Sequence, residues 1–223
     1  MSSPIVVFDL DGTLVDTAPD LLASLNHVLN AEGLPTTDIE ALRKYVGQGG
    51  RVMLQRAFNA AGREFDDEIA DRLVADFVVH YGNNMPGASL PFDGVLNAMD
   101  ALESEGFVFA VCTNKTERLA VKLLDALGLS DRFRAVCGGD TFTFKKPDGR
   151  HILETVQAAS GDPTRAVMIG DSYAEIGAAH DAKVPVIAVD FGYTDEHVST
   201  FKPTKVISHY DEMTVELVKE LIT

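Results

Sequence analysis

At roughly 150 residues per domain, a chain of 223 residues suits one domain carrying an insertion, or two small ones. A composition 46% hydrophobic and 24% charged sets aside disordered, collagenous and coiled-coil classes. Nineteen Lys and Arg against 34 Asp and Glu leave a formal charge of −15, which repels polyanions and argues against DNA or RNA as a partner.

Cys112 and Cys137 each sit in an apolar run with no partner spacing, which suits buried thiols in a reducing compartment better than a disulfide or a zinc site. The amino end has no basic stretch and only four consecutive apolar residues, short of a signal sequence or a membrane span. A cytoplasmic protein without a membrane anchor is expected.

Ile5 to Phe8 is an unbroken apolar run, the pattern of a strand buried on both faces of a parallel sheet. It ends in Asp-Leu-Asp-Gly. Residues 16–85 contain no such run; instead Leu21, Leu22, Leu25, Val28 and Leu29, and then Ile69, Leu73, Phe77 and Tyr81, recur at helical spacing. With further helical segments over Asp38 to Tyr45 and Arg51 to Ala61, this region reads as an inserted helical bundle, and residues 83–87 as its return linker. Strands are expected at Phe107–Val111, Ala135–Cys137, Ala166–Ile169 and Val186–Val189, each followed by polar residues or glycine. Helices are expected between them: one over Leu119 to Leu127, capped by Thr116 and stopped by Gly128, then Glu154–Ala159 and Ala174–Ala182, with closing helices at Asp195–Phe201 and Tyr210–Ile222. The predicted fold is an α/β protein with a Rossmann-like parallel sheet core over residues 1–15 and 86–223 and an α-helical insertion over 16–85. Ligands belong at the carboxyl ends of its strands.

The chemistry-bearing residues gather at those ends. Asp9 and Asp11 follow the first strand, where two acids are tolerable only if a cation, hydrogen bonds or a shared proton offsets their repulsion. Gly12 permits a sharp turn beside them. Thr113 and Asn114 end another strand just before a helix, offering a hydroxyl and N–H groups suited to an anion. Lys146 lies in a third loop, and Asp171 ends a fourth strand, where it can join Asp9 around a hard cation such as Mg²⁺. Each has a plainer reading alone: a turn hydroxyl for Thr113, a solvated lysine for Lys146, a helix cap for Asp171. Their convergence on one edge of one sheet favours a site.

Asp9-Leu-Asp11-Gly-Thr13, Thr113, Lys146 and Gly170-Asp171 resemble, in order and spacing, the four motifs of the haloacid dehalogenase-like hydrolase superfamily, and the length and Val46-Gly47-Gln48-Gly49-Gly50 look most like its phosphoglycolate phosphatase-like branch. The resemblance implies that Asp9 attacks phosphorus to form an aspartyl phosphate, that Asp11 protonates the leaving alcohol and then activates water, and that Thr113 and Lys146 hold the transferring group. It further implies Mg²⁺ bound by the Asp9 carboxylate, the Asp11 main-chain carbonyl and Asp171, and makes the insertion a mobile cap. Glu175 stands where an Asp is usual, as a metal-water ligand or lysine partner. The implied function is a magnesium-dependent phosphatase acting on a small-molecule phosphate ester, with 2-phosphoglycolate a candidate, in a monomer or homodimer. A hexose phosphate mutase using the same aspartyl phosphate is the alternative. Dehalogenation is disfavoured by the presence of Asp11, and a non-enzymatic binding module by the intact nucleophile and lysine.

Substrate contacts are expected from Gly12 and Asn114 in the core and from Gly49, Gly50 and Arg51 in the insertion. There a glycine cluster ahead of a helix suits an anion and a guanidinium can hold a carboxylate, with Arg43 or Lys44 as substitutes.

Overall fold

Strand β1 (Ser3–Phe8) sends Ile5 and Val7 to one face and Val6 and Phe8 to the other, all fully buried. Burial on both faces is why its sequence does not alternate. The computed structural model describes residues 3–43, 46, 49–194 and 196–222. Among these, β1 is flanked by β4 (Val108–Cys112) and β6 (Gly161–Gly170), and the six-stranded sheet runs β5-β4-β1-β6-β7-β8 with every neighbouring pair parallel. The outer strands are β5 (Phe133–Cys137), β7 (Val186–Val189) and β8 (Lys205–Ile207).

Helices cover both faces. On one, α7 (Arg150–Ala158) and α8 (Tyr173–Ala182) pack Ile152, Val156, Ile176 and Ala179 onto Ile5, Val7 and Met168. On the other, α5 (Val95–Ser104), α6 (Glu117–Ala126) and α9 (Val215–Leu221) bring Met99, Leu123 and Val218 against Phe8, Phe109 and Ile187. The chain leaves β1 toward β5, returns beside β1 at β6, and continues outward. The order therefore reverses next to β1, and the crevice beyond the carboxyl ends of β1, β4 and β6 is where an open α/β sheet holds its ligands.

Between β1 and α5 the chain forms α1 (Ala18–Ala31), α2 (Ile39–Arg43), α3 (Gly50–Ala60) and α4 (Asp67–Asn84). The two predicted stripes, Leu21, Leu22, Leu25, Val28 and Leu29 on α1 and Ile69, Leu73, Phe77 and Tyr81 on α4, pack together; Leu22 and Ile69 are partly buried and the rest are buried. Both connections to the core pass through a ribbon of two-residue strands, β2 (Val15–Asp16) and β3 (Leu90–Pro91), paired antiparallel. Asp20 ties α1 to the returning chain: its carboxylate accepts from the N–H groups of Ala88 (2.7 Å) and Ser89 (3.2 Å) and from the Ser89 hydroxyl (2.5 Å).

Several expectations need correction. β6 begins five residues before Ala166, and α7 four before Glu154. β8 and α5 were not anticipated. Val198–Phe201 and Tyr210–Glu212 are single 3-10 turns, and α9 alone closes the chain as an α-helix. Lys44, Tyr45, Gly47, Gln48 and Asp195 lie outside the described residues. None of the described helices is long and apolar enough to cross a membrane.

Candidate active site

The turn after β1 begins as a continuation of the sheet, with the Asp9 N–H donating to the Ile169 carbonyl at 2.9 Å, and then reverses. Gly12 makes the reversal with φ +85°, and a Cβ there would lie 2.4 Å from Asp171 Oδ2 and 2.7 Å from the Tyr193 ring. Gly12 thus lets Asp171 approach the first turn, and it is absent from the cavity lining. What the structure shows of Gly12 is the turn it shapes. Thr13 donates its hydroxyl to Asp171 Oδ1 at 3.1 Å, and the Tyr193 N–H donates to Oδ2 at 2.6 Å.

Lys146 reaches into the centre of this edge with its side chain fully buried. Its ammonium lies 2.6 Å from Asp9 Oδ1 and 2.6 Å from Glu175 Oε1. Burial works against that charge, but the Asp9 and Glu175 carboxylates hold the amine above its ordinary pKa. Glu175 fixes itself through a capping box at the start of α8, its Oε2 accepting from Ser172 N (3.0 Å) and Ser172 Oγ (2.6 Å). Ser172, not Asp171, is therefore the helix cap, which leaves Asp171 free to face the site.

Asp9, Asp171 and Glu175 are all buried, with one oxygen of each within 4.8 Å of the others. Three carboxylates against the single ammonium of Lys146 leave a surplus of buried negative charge. Burial accordingly pushes Asp9 up to about 7, with Lys146 opposing the rise and Glu175 adding to it; Asp171 is raised well above the carboxylate range by burial and then by Glu175 and Asp9. A hard divalent cation, held by oxygen ligands, fits this donor set and its charge imbalance.

A cavity of about 460 Å³ opens over these groups. Asp9, Asp11, Thr113, Asn114, Lys146, Asp171 and Glu175 line its floor, so the structure brings together residues from four separate loops. Thr113 is buried, its oxygen accepting from the Lys115 N–H at 3.2 Å. The Asn114 amide donates to the Lys146 carbonyl at 3.1 Å, bracing the lysine loop. Asp11 holds a residue the sequence reading passed over: Lys115 Nζ lies 2.7 and 2.8 Å from its two oxygens, and the Thr17 hydroxyl donates to Oδ1 at 2.6 Å. The signal available was position alone, a lysine next to Thr113-Asn114 at a strand end. From the insertion, Gly49, Gly50, Leu21, Met53, Phe77 and Tyr81 contribute to the roof.

The family model of haloacid dehalogenase-like hydrolases matches residues 6–189, spanning the sheet edge, its loops and the helical insertion. The chain belongs to the haloacid dehalogenase-like hydrolase family. This hydrolase is 53% identical over 222 residues to a phosphoglycolate phosphatase of Mesorhizobium japonicum, covering 100% of the chain and 98% of the relative. It is 48% identical over 221 residues to one of Agrobacterium fabrum, covering 99% and 95%. Among solved structures it resembles a predicted phosphoglycolate phosphatase from Haemophilus somnus, with a TM-score of 0.87 and 28% identity over 96% of the chain and 97% of that structure.

The structure places one expected contact of the hydrolase away from the cavity. Arg51, expected to read a carboxylate, does not line the cavity; it follows the first residue of α3 and turns outward to Asp67 and, at 2.9 Å, Asp71 in the first turns of α4. Arg43 likewise pairs with Asp16 at 3.2 Å and lies over the Tyr193 ring. Exposed ion pairs of this kind contribute about 0–1 kcal/mol. Arg51→Ala is therefore expected to leave KM for carboxylated and neutral phosphate esters alike within about twofold, as steady-state kinetics will measure.

His151, buried beneath the Lys146 loop, accepts from the Lys146 N–H through Nδ1 at 3.3 Å. Burial, and then the Lys146 charge, lowers its pKa from 6.5 to about 4. A depressed histidine pKa means that the unfolded chain binds the proton first, so the hydrolase loses stability as pH falls from 6.5 toward 4. Thermal unfolding of His151→Gln beside the parent is expected to show a shallower loss across that window; parallel curves would rule the contribution out.

Proposed function

We propose that the protein is a magnesium-dependent phosphatase that hydrolyses a small phosphorylated metabolite, with 2-phosphoglycolate the favoured ester, through an aspartyl phosphate on Asp9. The observation that carries the reading is the Lys146 ammonium bridging Asp9 and Glu175 beside Asp171 at the floor of one cavity. The relationship to phosphoglycolate phosphatases across the whole chain supports the choice of ester.

Asp9 Oδ1 is pinned by Lys146 while its other oxygen accepts no hydrogen bond among the described residues, so one oxygen is oriented and one is available for attack. That oxygen forms the new bond to phosphorus as the bond to the leaving oxygen breaks. Thr113 and Lys146 present a hydroxyl and an ammonium where the phosphoryl oxygens gather charge. Asp11, two residues on and at the same cavity, takes up a proton from solvent and delivers it to the leaving oxygen. It then takes one from the water that displaces Asp9. Asp9, Asp171 and the Asp11 carbonyl would hold Mg²⁺, which supplies positive charge against the phosphoryl oxygens and against the acidic cluster.

Rapid quenching of a reaction with ³²P-labelled 2-phosphoglycolate tests the scheme. Radioactivity bound to protein, released by hydroxylamine as an acyl phosphate is, is the expected result. Phosphate release with no labelled protein at any time point, or isomerisation of a sugar phosphate without phosphate release, would overturn it.

A further inference from the structure

The roof and floor of the cavity differ in kind. Of the described residues, those from the insertion are apolar side chains or glycine, apart from Tyr81. Among the described residues, the cationic side chains in the lining are Lys115, Lys145 and Lys146, all from loops of the core. Lys146 is committed to Asp9 and Glu175, and Lys145 is exposed. Lys115 is different: its side chain is 7% exposed, it grips both oxygens of Asp11, and its ammonium lies 4.7 Å from the centre of the Tyr81 ring on α4. Tyr81 is 1% exposed, and its hydroxyl has no acceptor among the described residues. A buried phenol with no acceptor, next to a buried ammonium and on the wall of a cavity, is placed to donate to an anion.

The acceptor that Lys115 now has is Asp11. To act on a leaving oxygen its carboxylate has to turn from Lys115, which then needs another anion. Resting on the phosphatase reading, we infer that Lys115 and Tyr81 form the subsite for a carboxylate one carbon from the leaving oxygen, with Asp11 its stand-in when no ester is bound. The exchange replaces one carboxylate by another on the same ammonium, so the charge of the pair is conserved while Asp11 is released. The chemistry also fixes how far the anion lies from the ester oxygen. Because the acid that serves the leaving oxygen touches the cation directly, the substrate's carboxylate belongs immediately beside that oxygen, as in 2-phosphoglycolate. An ester with a neutral leaving group offers Lys115 nothing in exchange, and Asp11 stays held.

Equilibrium binding separates this role from a structural one. In an Asp9→Asn background, which cannot form the aspartyl phosphate, calorimetry with Mg²⁺ would compare 2-phosphoglycolate with 2-hydroxyethyl phosphate, in which CH₂OH replaces the carboxylate. The background is expected to favour 2-phosphoglycolate by about tenfold or more, the scale of a lost charge-assisted contact. Lys115→Met should reduce that preference to about threefold or less, chiefly by weakening 2-phosphoglycolate; Lys115→Arg should restore part of it, and Lys145→Ala should leave it intact. Tyr81→Phe should also lower the preference, and it decides the matter if Lys115→Met does not fold. A preference that survives Lys115→Met or Tyr81→Phe, an equal weakening of both ligands, or no preference in the background would overturn the inference. Failure of the unaltered protein to hydrolyse any ester would instead overturn the phosphatase reading, with the binding ratio still deciding Lys115.

Discussion

Asp9→Asn is expected to remove turnover of every phosphate ester, by about a thousandfold or more, because the amide oxygen cannot supply the attacking electron pair of a carboxylate. The change is nearly isosteric, and it removes a buried charge that burial already disfavours, so the fold should persist. Lys146 would keep Glu175 as its ionic partner. Circular dichroism should therefore match the parent, while single-turnover experiments show no labelled protein. Retention of more than about a tenth of the activity, roughly 1.4 kcal/mol of barrier, would remove Asp9 from the role of nucleophile.

The second large effect concerns the acidic cluster. Chelation is expected to abolish activity and Mg²⁺ to restore it, with Ca²⁺ a poor substitute because its larger, looser shell suits the compact donor set less well. A readout independent of turnover follows from the charge imbalance. A cation that binds only the folded cluster stabilises it by about 2.7 kcal/mol at one hundred times its Kd. For a chain of this length that raises the unfolding midpoint by about 5–10 °C. Asp171→Asn should abolish the rise together with the activity, whereas Glu175→Gln should retain part of the rise and chiefly loosen Lys146. Full activity in excess chelator, or no shift of the midpoint with Mg²⁺, would contradict a metal at this cluster.

The sheet was legible in the sequence because its central strands are buried on both faces, and a run such as Ile5–Phe8 has no other economical explanation. The convergence of Asp9, Asp11, Thr113, Lys146 and Asp171 was legible for a related reason: in a parallel sheet, residues that follow strands share an edge. What escaped was set by contacts between distant segments. β2 and β3 are two residues each, too short for periodicity, and exist because each is the other's partner. Lys115 reads as an ordinary surface lysine until the fold sets Asp11 beneath it and Tyr81 beside it. The outward turn of Arg51 was not legible because proximity to a glycine cluster does not reveal which way a helix turns its first residues. The acidic start of α4, Asp67 and Asp71, draws the guanidinium outward.

The β2–β3 ribbon also bears on how such a molecule tolerates change. Adjacent strands lie about 4.8 Å apart, so the segment joining β2 to β3 leaves and rejoins the core almost at one point, whatever its length. To the rest of the chain, residues 17–89 are topologically a hairpin turn. The entropy of closing such a turn grows only with the logarithm of its length, about 0.6 kcal/mol for each doubling. Helices in that segment can therefore be lengthened, shortened or exchanged at little cost to the sheet. The roof that admits a substrate is free to diversify while the floor that performs the chemistry stays fixed.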